Sequence, residues 1–108
     1  MDRYQVCYSD DALRDLRDIF EYIAFELKEP GIATAQVNRI RDSIRSLDTF
    51  PARNKVVEWE PWSNRGMRQM SVNNFITFYT TDDENFSVYV SRIFYGKRDI
   101  PSHIKKER

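Results

Sequence analysis

The stretch that most limits what this chain can fold into is its C-terminal third. Met67 to Asp99 reads MRQMSVNNFITFYTTDDENFSVYVSRIFYGKRD. Three runs rich in Val, Ile, Thr, Phe and Tyr are separated by Asn73-Asn74 and by Asp82-Asp83-Glu84-Asn85. Strand formers bounded by turn formers predict an antiparallel meander. Asn tolerates positive φ, so Asn73-Asn74 suits a two-residue hairpin turn and the polar tetrapeptide a four-residue loop. Register follows from those turns. Val72 faces Phe75, Met70 faces Thr77 and Arg68 faces Tyr79. Across the second hairpin Thr81 faces Phe86, Tyr79 faces Val88, Thr77 faces Val90 and Phe75 faces Arg92. Strand alternation then gives a core face of Met70, Val72, Phe75, Tyr79, Val88, Val90 and Phe94. The opposite face carries Ile76, Phe78, Tyr89, Ile93 and Tyr95 beside Gln69, Ser71 and Ser91. It is too apolar for open solvent and too polar for a second full core, which predicts a surface that something else covers.

Upstream, Tyr4 to Tyr8 is a short strand, and Ser9 or Asp10 can cap the helix that follows. Leu13, Leu16, Phe20, Ile23, Ala24 and Leu27 recur at helical spacing, leaving Arg14, Asp15, Arg17, Asp18 and Glu21 outward until Pro30-Gly31 ends the helix. A second helix begins near Ile32, with Ala33, Val37, Ile40, Ile44 and Leu47 as its seam, and stops at Phe50-Pro51. Lys55 to Trp59 reads as a short strand or extended arm, and Glu60 to Gly66 as a loop. The order β-α-α-β-β-β predicts an α+β domain: an N-terminal strand and an antiparallel two-helix hairpin packed on a small antiparallel sheet. Residues 1–108 form a single domain, with a polar tail from about residue 101 expected to fray.

The chain's 17 Lys and Arg balance its 17 Asp and Glu, so net charge gives no argument for nucleic acid. Distribution says more. Asp10, Asp11, Asp15, Asp18, Glu21, Glu26 and Glu29 make the first helix acidic, whereas Arg92, Lys97, Arg98, Lys105, Lys106 and Arg108 make the end basic. A lone Cys7 in an apolar strand reads as a buried small hydrophobe. With no signal-peptide core and no apolar run of membrane length, a cytoplasmic protein is expected. His103 and Cys7 each stand alone, no Gly-rich phosphate loop exists and no motif marks a nucleophilic Ser, so neither metal nor cofactor is expected. What remains is a basic and aromatic group: Arg65, Arg68, Arg92, Tyr95, Lys97, Arg98 and His103. Such residues can neutralise phosphates and stack on bases. The plainer reading is solvated strand ends and ion pairs, such as Arg98 beside Asp99.

An Arg opening a strand (Arg68), an aromatic just past the turn (Phe75), a Tyr shortly after (Tyr79) and the closing R-I-F-Y-G-K-R-D of Arg92 to Asp99 carry a resemblance. In order and spacing they resemble the RelE/ParE family, small toxins of bacterial type II toxin–antitoxin pairs, over nearly the whole chain. The resemblance implies a RelE-like fold, growth inhibition, plasmid stabilisation and neutralisation by a cognate antitoxin. Its ribonuclease branch would imply a ribosome-dependent mRNA endoribonuclease using Arg68, Arg98, Lys97 and Tyr95 or His103. That branch carries an Arg after the aromatic, where this chain has Ile76, and isoleucine cannot hold a phosphate. The closing motif is more similar to that of ParE-like toxins, which act on DNA gyrase. The favoured expectation is therefore a gyrase poison without catalytic residues, with Arg68, Arg92 and Arg98 contacting the target. A plain interaction domain is the weaker alternative. The antitoxin is expected to cover Ile76, Phe78, Tyr89, Ile93 and Tyr95, together with the outer side of the helix hairpin.

Overall fold

The computed structural model describes residues 3–96. Strand β1 (Gln5–Tyr8) leads into helix α1 (Asp10–Glu21), a π-helical turn (Tyr22–Glu26) and helix α2 (Pro30–Arg45). Two 3-10 turns follow, at Ser46–Asp48 and Pro51–Arg53, before strands β2 (Arg68–Val72), β3 (Phe75–Asp82) and β4 (Ser87–Tyr95). The sheet order is β1-β4-β3-β2. Both meander pairs are antiparallel, but β1 lies parallel to β4, so the expected antiparallel sheet is mixed. The cause is topological: two reversals return β4 to the direction of β2, and the helix hairpin carries the chain from β1 to β2 without reversing it.

Both helices pack on one face of this sheet. Ala12, Leu16, Ile40, Ile44 and Leu47 meet Met70, Val72, Tyr79, Val88, Val90 and Ile93 in a single core. The α2 seam is the one its spacing predicts. Along α1 and the π-helical turn the buried stripe is Ala12, Leu16 and Ile23, with Ile19 half-buried, a rotation that leaves Leu13 and Leu27 exposed and turns Asp15 inward. Pro30 does not end the first helix; it opens the second. Proline is well placed there because its missing N–H would have no intrahelical acceptor and its φ is already helical. The reversal falls earlier, through the π-helical turn and Lys28 at φ 58°.

The first hairpin has the expected register, with Asn73 at φ 55° and Val72 opposite Phe75. The second does not. Asp82 pairs with Ser87, so the loop runs Asp83 to Phe86, with Phe86 at φ 49°. Asp82 stabilises this turn by accepting from the Glu84 and Asn85 amides at 3.1 and 3.2 Å and from Asn85 Nδ2 at 2.7 Å. The Asn85 side chain, then its amide, hold the Asp82 carboxyl below its ordinary pKa. Further along, Phe78 pairs with Arg92 but Tyr79 with Val90, leaving Ser91 as a bulge on β4. Tyr79 thus sits opposite Val90 rather than Val88, and Thr77 opposite Ile93 rather than Val90. A bulge reverses the side-chain alternation beyond it, so Ile93 joins the helix-side core and Phe94 crosses to the far face.

The chain covers that far face itself. Val57, Met67, Phe78 and Phe94 are buried there, flanked by Trp59, Trp62 and Ile76. The arm before β2 is tied down by a Val56–Arg68 bridge and by the Val57 amide donating to Met67 O at 2.8 Å. Trp59 meets Phe78 edge-on, ring centroids 5.8 Å apart. Tyr79 anchors the preceding loop: its hydroxyl donates to Pro51 O at 2.6 Å and accepts from Asn54 Nδ2 at 3.0 Å. Burial raises its phenol pKa against the Asn54 hydrogen bond and the nearby Arg68 and Arg53 charges, so it stays protonated as a donor at neutral pH. Removing the donor leaves a carbonyl unsatisfied. Tyr79→Phe is expected to lower stability by about 1–2 kcal/mol in urea unfolding. Tyr4→Phe, which removes an exposed 2.8 Å bond to Asp83, should lower it by less than about 0.5 kcal/mol.

Candidate functional site

Strand β4 continues past the end of β1, and α1 takes over the edge left open there. The Ser9 amide donates to Val90 O at 3.0 Å. The Ser9 hydroxyl donates to Ser91 O at 2.8 Å while capping α1 through the Ala12 amide at 2.9 Å. One turn on, Asp15 accepts the Ile93 amide at 2.9 Å and grips Arg92 with both oxygens, at 2.8 Å to Nε and 3.0 Å to Nη2. The two side chains are 11% and 13% exposed. The Arg92 guanidinium also lies over the Phe94 ring, 4.4 Å from its centroid. Arg92 is therefore committed to the fold, whereas its charge alone suggested a target contact.

Beside this ion pair a groove of about 830 Å³ opens between the helix hairpin and the ends of β3 and β4. Ile19, Tyr22, Ile23, Leu27 and Phe75 line its apolar wall, and Asp15 and Asp18 give it negative charge. Gln36 also borders it, and its buried Nε2 has no hydrogen-bond acceptor among the described residues. Tyr22, Phe25, Leu27 and Ile32 extend this apolar surface, exposed, over the hairpin tip. Among the described residues no group of three or more His, Cys, Asp and Glu is disposed to hold a metal ion. No helix of those residues is long and apolar enough to cross a membrane.

Among the described residues, the basic and aromatic ones do not converge. Arg68 is half-buried and donates to Asn54 O. Arg65 stacks on Trp62, 4.7 Å from the ring centroid. Tyr95 meets Phe75 edge-on at the other end of the sheet, 5.8 Å between centroids. Arg68 stands opposite Tyr79 and Tyr95 opposite Phe75. Four residues along and two strands across separate their Cα atoms by about 16 Å. Lys97, Arg98 and His103 lie outside the described residues.

A family model described as the ParE toxin of type II toxin–antitoxin systems, parDE, matches residues 6–100. The chain belongs to the ParE toxin family. Solved structures share its fold. The chromosomal ParDE system of P. aeruginosa is 18% identical with a TM-score of 0.70, covering 86% of this chain and 96% of that one. The RelBE2 toxin–antitoxin complex of Mycobacterium tuberculosis is 23% identical with a TM-score of 0.63, covering 88% and 93%. A free-state mutant of E. coli RelE is 14% identical with a TM-score of 0.64, covering 97% and 93%. No curated protein matches the chain in sequence.

For this ParE-family toxin the surface expected to meet an antitoxin is only partly open. Phe78 and Ile93 are 1% and 2% exposed and Ile76 is half-buried, whereas Tyr89 and Tyr95 are 46% and 40% exposed. Phe78 is covered by the Trp59 loop, and Ile93 faces the helices because of the Ser91 bulge. What the sequence reading missed is the groove, above all Asp15, Gln36 and Tyr22. The signal was present in Tyr22 and Phe25, large apolar residues off the buried stripe of an otherwise polar helix. Asp15→Ala removes the bidentate acceptor of a largely buried guanidinium and the acceptor of an edge amide together. It should destabilise the toxin by roughly 2–4 kcal/mol, read by chemical denaturation. Asp11→Ala, which breaks an exposed 3.1 Å pair with Arg14, should cost at most about 0.5 kcal/mol.

Proposed function

We propose that this toxin inhibits bacterial growth by binding and poisoning DNA gyrase, and that a cognate antitoxin neutralises it. The match of residues 6–100 to the ParE model carries this reading. Two features of the chain support it. Ile76 stands where a ribonuclease would need a cation, and it is half-buried against the cluster of Val57, Met67, Phe78 and Phe94. Arg68 and Tyr95, two members of the expected ribonuclease set, stand on different ends of the sheet. On this reading Arg68 and Arg98 remain the cations proposed to contact the target, and Arg92 acts through the fold. The second reading is a ribosome-dependent mRNA endoribonuclease. It would use the fold shared with RelE at a TM-score of 0.64 and would draw on Arg68, Arg98, Lys97 and Tyr95 or His103.

Induced expression with separate labelling of DNA and protein synthesis tests the proposal. Early arrest of DNA synthesis with SOS induction is expected, with protein synthesis falling later. Immediate translation arrest with cut mRNA would replace the gyrase reading by the ribonuclease one.

The neutralising partner is proposed to seat on the helix hairpin and in the groove, where Tyr22, Phe25, Leu27 and Ile32 leave apolar area exposed. An amphipathic antitoxin segment carrying a cation would match that surface and its Asp18 rim. Tyr22→Glu and Leu27→Glu change exposed positions and should leave the fold intact. Each is expected to weaken antitoxin binding at least about tenfold by calorimetry, a loss of about 1.4 kcal/mol. Arg14→Glu should change it less than about twofold, because Arg14 already pairs with Asp11 away from the groove. Equal effects at all three positions would place the antitoxin elsewhere.

A further inference from the structure

A second, smaller cleft lies at the β1 edge of the sheet. Val6, Tyr8, Arg41 and Arg45 enclose about 220 Å³ there. Arg41 and Arg45 are one turn apart on the same side of α2. The Arg41 guanidinium sits 5.8 Å from the centroid of the Tyr8 ring. Among the described residues Arg45 pairs with one carboxylate, Asp42 at 2.8 Å, in an exposed i,i+3 pair that contributes little. The facing strand, Gln5–Tyr8, carries no carboxylate. Burial raises the Tyr8 pKa while Arg41 and Arg45 pull it down, so both charges act on a phenol that remains a donor at neutral pH. The polar side chains lining the cleft thus offer two guanidinium groups and a hydroxyl, and no carboxylate.

We propose that this cleft binds a phosphate of a nucleic-acid backbone, held by Arg41 and Arg45 with the Tyr8 hydroxyl as a further donor. Guanidinium groups match phosphate oxygens in charge and in the spacing of their paired N–H donors. Size selects the source. The cleft is smaller than the roughly 300–1,000 Å³ of small-molecule pockets. It admits a phosphate group, while the attached sugar and base must lie outside it, as they do when the group belongs to a polymer. The inference does not depend on whether the toxin's target is gyrase or the ribosome. With a net charge of zero, the toxin has no overall field to add, so binding is local and modest, with a salt slope of about one.

Fluorescence anisotropy with a labelled short DNA duplex and the full-length toxin, at several salt concentrations, tests this. Arg41→Gln and Arg45→Gln are expected to weaken binding about tenfold each at low salt. The two substitutions together should reduce the slope of log affinity against log salt by about one, because both guanidinium groups neutralise the same phosphate. Tyr8→Phe should weaken binding about threefold. Arg39→Gln removes the same charge from the same helix, off the cleft, and should weaken binding less than about twofold. Thermal unfolding of the three arginine variants is expected to match that of the unmodified toxin. If Arg39→Gln weakens binding as much as Arg41→Gln, the cleft is not the site. Failure of the unmodified toxin to bind the duplex would overturn the proposal, as would tighter binding of a glutamate-rich peptide to Tyr8, Arg41 and Arg45.

Discussion

The structure depends on how the free edge of β4 is completed. β1 pairs with Ser87 to Val90 and then ends, while β4 runs on to Tyr95. An unpaired buried edge is costly and invites pairing with other chains. Ser9 and Asp15 remove the problem by bonding to Ser91 O and the Ile93 amide. The same bonds fix where α1 sits, because a cap and a side chain six residues later are both pinned to one strand. Arg92 completes the arrangement by neutralising Asp15 where neither is well solvated. The rotation of α1 that brings Asp15 inward also puts Ala12 and Leu16 in the core and leaves Leu13 outside. The groove beside the ion pair follows from this seating of the hairpin.

Much of this architecture is legible in the sequence because it rests on local rules. Asn73 tolerates positive φ, which fixes the first hairpin, and the seam from Ala33 to Ile44 follows helical spacing along α2, with Leu47 added from the 3-10 turn after it. The second hairpin is not legible, for two reasons. Phe86 takes a left-handed conformation that its residue type does not advertise, moving the loop along by one position. The Ser91 bulge then exchanges the faces of Ile93 and Phe94, and nothing in Ser-Arg-Ile-Phe marks it. Nor does charge reveal partnership across long separations. Asp15 reads as one more outward acid on a polar helix until β4 is seen beside it. The covering of the far face by Trp59 and Trp62 likewise needs tertiary structure, although two tryptophans in one loop are consistent with an apolar lid.

The proposed functional surfaces divide by charge. A neutral chain carries its acids beside the groove, through Asp15 and Asp18, and presents Arg41 and Arg45 beside β1. A toxin of this family must be held inactive by one partner and must engage another, and surfaces of opposite sign allow the two to be recognised by different rules. On the proposed reading, apolar area on the hairpin supplies the affinity of the neutralising contact. The cations Arg68 and Arg98 serve the target on the proposed reading. Arg92, the cation most suggestive by its place in the closing motif, instead holds α1 in position.

The gyrase reading is tested most directly with purified components. Supercoiling by gyrase should be lost on adding the toxin, with cleaved DNA accumulating in the presence of ATP, and both effects should disappear when the cognate antitoxin is added in equimolar amount. Gyrase that remains fully active beside the toxin, in a parallel reaction where ribosome-bound mRNA is cut, would contradict the account.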